Sequence, residues 1–185
     1  METEINKKDF WNEAGKAGLI LGAISSAYIF LTQFIASAGL TGFLSILLTF
    51  ALWGAKFGGC IYVMMLMMRK FHMNNPKTSN SDTFKFGMIT SLLSAFVLAS
   101  VSYINIAYIS ADLYAAQMEA AMQTYAQIMD SNMLAEMEKW TGRLPQLTFV
   151  SNLIYCTAYG MVLSFILSRN IPSRDPFAGY KPDEQ

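Results

Sequence analysis

Apolar residues fill four stretches of this chain, residues 17–38, 42–68, 86–109 and 147–167, and polar residues gather between them. Each stretch is about as long as the ~20 apolar residues a helix needs to cross a bilayer. None contains a proline, so each is expected to run as an unbroken helix. The pattern predicts an all-α, polytopic membrane protein, a bundle of four transmembrane helices in a single membrane domain. Its expected segments are an interfacial leader (1–16), spans at 17–38 and 42–68, a loop (69–85), a third span (86–112), an amphipathic helical hairpin (113–146), a fourth span (147–167) and a tail (168–185).

The finer pattern predicts how the helices meet. Small residues recur at four-residue spacing as Gly18, Gly22 and Ser26 on the first span, and as Gly54/Gly58 and Ala55/Gly59 on the second. Helices in lipid lack a hydrophobic drive to associate, so ridges that let backbones approach mark contacts. These ridges are expected to pack inside the bundle, with a partner or a second copy as the alternative for one of them. Spans three and four carry Ser91, Ser94, Ser100, Ser102 and Asn105, and Ser151, Asn152, Tyr155, Tyr159 and Ser164. They are expected to face each other, where such groups find hydrogen-bond partners. Ser81 or Asp82 is placed to cap the third span's helix.

Between spans three and four, Tyr114, Met118, Met122, Tyr125 and Met129 fall on one helical face. With no Gly or Pro before it, this helix is expected to continue directly from span three and to break at Asp130-Ser131-Asn132. A second short helix, 133–141, should end at Gly142, with Pro145 restarting the chain into span four. Such a hairpin is read as lying on the membrane or over the bundle, and its methionines are adaptable enough to grip a partner.

Composition adds sidedness. The 185 residues are 54% hydrophobic and 14% charged, with zero formal net charge, so the distribution of charge carries the information. Of the thirteen Lys and Arg, ten fall in the leader, the 69–85 loop and the tail. By the positive-inside rule these segments are cytoplasmic and the hairpin extracytoplasmic, in a bacterial inner membrane. A cleavable secretory signal is disfavoured, because the first apolar run is too long and the segment before it carries Glu2, Glu4, Asp9 and Glu13. Phe10 and Trp11 are expected at headgroup depth. Cys60 and Cys156 fall within spans and read as packing residues, and the single His72 reads as a solvated loop residue.

One residue breaks the apolar pattern. Lys56 lies near the middle of span two, where a charge costs at least ~2.5–3.5 kcal/mol and is a functional candidate by default. No Asp or Glu occurs in any of the four apolar stretches, so no acid of this chain is expected to meet it at that depth. Trp53, three residues earlier, is the expected ring for its ammonium. Asn105, Asn152 and Tyr155 on the polar helices complete a candidate anion or partner site. The alternatives are a lysine that snorkels, or one that meets a partner subunit's acid. No paired carboxylates, no His or Cys ligand set and no phosphate-cradling loop occur at membrane depth. The chain is therefore read as a non-enzyme with no cofactor and no metal. Neither the broken helices nor the duplicated halves of secondary transporters are visible.

Several segments together resemble an uncharacterised four-helix family of bacterial inner-membrane proteins, a "domain of unknown function" group. They are the basic leader running into Gly18-Leu-Ile-Leu-Gly22, the Thr83-Phe-Lys-Phe-Gly-Met88 opening of span three, the Tyr103-Ile-Asn-Ile-Ala-Tyr108 exit, and the hairpin. The resemblance covers most of the chain and brings no catalytic residue. It implies genes placed beside polyprenyl-phosphate sugar glycosyltransferases, and hence a membrane partner for such an enzyme. The leading expectation is a non-catalytic subunit or anchor that docks a cytoplasmic enzyme. Arg69, Lys70 and Lys85 of the loop and Arg174 and Phe177 of the tail would carry the docking. The partners expected are the bilayer and either a protein or a second copy of the chain, with no nucleic acid. The competing expectation is a carrier or flippase for an anionic lipid or small solute that uses Lys56.

Overall fold

A computed structural model describes residues 7–37, 43–75, 78–126 and 129–171. The 39–42 turn, Arg174 and Phe177 lie outside them. The described residues form helices and short connections, with no strand. The helices are α1 (Lys7–Ser37), α2 (Phe43–Asn74), α3 (Asn80–Ile104), a π-helical turn (Asn105–Ile109), α4 (Ala111–Tyr125), α5 (Ser131–Thr141) and α6 (Leu144–Asn170). Four of them, α1, α2, α3 and α6, are long and apolar enough to cross a membrane, which makes this a multi-pass membrane architecture.

Glycines decide the packing order. Gly18 and Gly22 set α1 against α3, where an added Cβ would stand 2.7 Å from the Cβ of Leu93 and of Val97 respectively. On another face of α3, Gly87 meets Ser164 of α6, and Gly160 of α6 meets Ser91. α3 is therefore the hub, and its polar face does meet that of α6. The hydroxyls bond within their own helices, however: Ser91 Oγ donates to the Gly87 carbonyl at 2.7 Å and Ser164 Oγ to the Gly160 carbonyl at 2.6 Å. With its donor spent on the preceding turn, each serine packs as a small residue.

α2 takes the fourth corner and rests mainly on α1. It is buried only toward its C-terminal end, through Met64, Met68, Phe71 and His72. There Phe71 stacks on Phe86 at 4.3 Å, and Phe10 meets both rings edge-on at 5.5 and 6.0 Å. Toward Phe43 the helix leaves the bundle. The second small-residue ridge faces open space, since a Cβ added at Gly54, Gly58 or Gly59 would meet no atom within 4 Å among the described residues.

Helix ends differ from expectation because apolar windows record bilayer depth rather than helix length. Lys7–Lys16 is not a separate leader over the described residues but the start of α1, and Phe10 joins the core while Trp11 stays exposed. α2 runs on through Arg69 to Asn74, leaving only residues 75–79 as connection. His72 is consequently buried rather than solvated, with Nδ1 3.4 Å from Thr83 Oγ1. Neither Ser81 nor Asp82 is the α3 cap. Ser79 is, in a reciprocal capping box with Asp82. Ser79→Ala should cost about 1 kcal/mol, read as a lower melting temperature of the detergent-solubilised protein.

Nor does α4 continue α3. The π-helical turn and Ser110, at φ −124° and ψ 28°, interrupt them. Ser110 Oγ lies 3.2 Å from Asn105 Oδ1 and 3.5 Å from Gln33 Oε1, and Gln33 Nε2 donates to Tyr114 Oη at 3.4 Å. These contacts tie α1, the π turn and α4 together. α5 begins at Ser131, inside the expected Asp130-Ser131-Asn132 break rather than at Met133, while Gly142 follows it and Pro145 lies in the first turn of α6, as the sequence predicts. Met118 and Met122 line a groove against Leu134 of α5.

Candidate anion-binding site

Because α2 leans away from α6, a cavity of about 90 Å³ remains between all four spanning helices. Its walls include Ser25 and Leu21 of α1, Lys56, Phe57 and Cys60 of α2, Ser91 and Ser94 of α3, and Tyr155, Cys156 and Tyr159 of α6. It has room for several waters, or for one small oxyanion in their place. Ser25 Oγ is 3.5 Å from Cys60 Sγ.

Lys56 is half-buried on this wall. Its ammonium lies 4.6 Å from the centre of the Tyr28 ring on α1. The ring expected from the sequence, Trp53, is engaged elsewhere: it contacts Phe57 at 4.6 Å and stacks with Phe50 at 5.9 Å. Among the described residues Lys56 makes no ion pair, and at ~1.5 Å per residue it lies about 20 Å from Arg69, the nearest charge on its helix. A tyrosine face attracts a cation but does not neutralise it.

The mouth of the cavity opens along the seam between α2 and α6. Across it, Phe57 meets Tyr159 edge-on at 5.6 Å, and Tyr159 stacks with Tyr155 at 6.5 Å. Tyr155 is 61% exposed although it lines the cavity, so it stands at the opening. Trp53, Ile154 and Val162 are exposed nearby on the two helices. In a helix long and apolar enough to span a membrane, an opening at this depth would face acyl chains.

The expected site residues are thus only partly assembled. Lys56 and Tyr155 share the cavity, and Trp53 stands one turn away. Asn105 belongs to the opposite end, fully buried in the π turn, its Nδ2 without a hydrogen-bond partner among the described residues. Asn152 is half-buried on α6 and does not line the cavity. Sequence spacing does not point to Tyr28 or Ser25, which lie on another helix at no fixed interval from Lys56. Of the expected docking residues, Arg69 and Lys70 are exposed, and Lys85 is paired with Asp82 at 3.4 Å. Among the described residues, no group of three or more His, Cys, Asp or Glu is arranged to hold a metal ion.

The sequence matches the model of a family described as a protein of unknown function (DUF4199) over residues 16–169. No curated protein and no solved structure matches the chain.

Proposed function

We propose, for a chain that belongs to the DUF4199 family, an intramembrane binding protein for an anionic amphiphile, acting as its carrier or flippase. The head group would occupy the central cavity and its tail would leave between α2 and α6. One observation carries this reading: an ammonium without an acid partner among the described residues lines a hydroxyl-bearing cavity that opens to lipid. Lysine suits the task as a compact charge with three donors, and Tyr155 and Tyr159 add hydroxyl donors at the mouth. A phosphate or carboxylate there would supply the charge that Lys56 lacks. Both chain termini and the α2–α3 connection are proposed to lie in the cytoplasm of a bacterium, with α4 and α5 outside.

The exposed Arg69 and Lys70 favour a second reading, a non-catalytic anchor for a cytoplasmic membrane-surface enzyme such as a polyprenyl-phosphate sugar glycosyltransferase. Native mass spectrometry of protein taken from membranes in mild detergent separates the two. The carrier reading expects the wild type to retain one anionic amphiphile more than Lys56→Gln. A bare chain, or equal lipid on both proteins, would refute it. A copurifying enzyme lost in Arg69→Gln/Lys70→Gln would favour the anchor.

A further inference from the structure

At the end of the bundle where α1 begins, a groove of about 350 Å³ separates α1 from α2. Its rim carries Lys16 and Glu13 of α1 and Lys70 and Asn74 of α2. Its floor is apolar: Ala17, Phe71 and Phe86 are at most 6% exposed. From there Ile20 and Met67 lead along the two helices toward the hydrocarbon. A polar rim above an apolar slot, at the ends of spanning helices, is the shape of a lipid at the bilayer interface.

The charges narrow the occupant. Lys16 and Lys70 are exposed, and neither is in an ion pair among the described residues. Two ammonium groups and the single Glu13 carboxylate leave the rim with one positive charge. The complement is a head group of net charge −1 that also offers hydroxyls, which Glu13 and Asn74 can hydrogen-bond. Basic pockets between spanning helices are general sites for anionic head groups.

We propose that this groove is a second, interfacial binding site for a phosphodiester lipid with a hydroxyl-bearing head, of the phosphatidylglycerol class. The phosphate sits between Lys16 and Lys70, the head hydroxyls face Glu13 and Asn74, and one acyl chain follows Ile20 and Met67. The site is independent of Lys56, which lies about 20 Å deeper along α2.

The test uses the full chain carrying Lys56→Gln, which silences the deeper cavity, in phosphatidylcholine nanodiscs titrated with phosphatidylglycerol. Lys16→Gln/Lys70→Gln should weaken binding at least tenfold, and Lys16→Arg/Lys70→Arg should return it to within about threefold. Arg69→Gln removes one neighbouring charge that does not line the groove and should change affinity less than twofold. Inorganic phosphate at the lipid's concentration should not displace it. Equal losses in Arg69→Gln and the double glutamine variant would reduce the effect to diffuse charge and overturn the site. So would displacement by inorganic phosphate, unchanged binding in the double variant, or arginine variants as weak as the glutamine ones.

Discussion

Gly160→Leu is expected to separate α6 from α3 and to lower thermal stability sharply, whereas Gly58→Leu should leave it nearly unchanged. Both glycines lie in spanning helices, and the sequence pattern singles out Gly58, on a small-residue ridge, as the contact rather than Gly160. At Gly160 a Cβ would fall inside the space of the Ser91 side chain, while at Gly58 it meets nothing within 4 Å among the described residues. Overpacking typically costs 1–3 kcal/mol, and a leucine at a glycine-mediated crossing forces the backbones apart, which places the loss toward the upper end. Gly160→Ala should be milder, and Ser91→Gly should partly rescue it because the two residues fill one space. Circular-dichroism melts in detergent measure the series. Equal losses at Gly58 and Gly160 would mean that α2 is packed against something on its open face.

Lys56→Gln is expected to cut the central cavity's affinity for an anionic lipid at least tenfold while leaving the fold as stable or more stable. The two effects have opposite signs for one physical reason. A charge at mid-bilayer is unfavourable by at least ~2.5–3.5 kcal/mol before its partners are counted, and the Tyr28 ring returns only part of this. Removing the charge removes that burden together with the attraction for an anion, as expected where a residue is kept for function at a cost in stability. Lys56→Met should stabilise most. Titration with anionic and zwitterionic lipids, beside melts of the same samples, reads both quantities. A large loss of stability without ligand would instead mark Lys56 as a structural residue.

The four crossings and the anomaly at Lys56 are legible in the sequence, because both are one-dimensional signals: apolar length, and a charge that interrupts it. The route from Lys56 to its surroundings is not. Trp53 sits at the right spacing on the same helix, yet it is committed to Phe50 and Phe57, and the ring that meets the ammonium comes from α1. The glycine ridges of α1 and α2 look alike on paper, but only the first has a helix against it among the described residues. Polarity alone groups Asn105 and Asn152 with Lys56, although Asn105 serves the π turn at the far end of α3. That turn has no glycine or proline to announce it. The basic neighbours of His72 suggest a solvated loop, while α2 in fact continues past it.

Trp53 offers the most direct probe of the central cavity, since it stands one turn from Lys56 and is 49% exposed. With Trp11 and Trp140 replaced by phenylalanine, its fluorescence can be quenched in bilayers by lipids brominated on the acyl chain. Brominated anionic lipid should quench at low mole fraction and saturate, well beyond brominated phosphatidylcholine, and Lys56→Gln should abolish the excess. Equal quenching by the two lipids at every mole fraction in the wild-type background would show that Lys56 draws no anionic head group into the bundle.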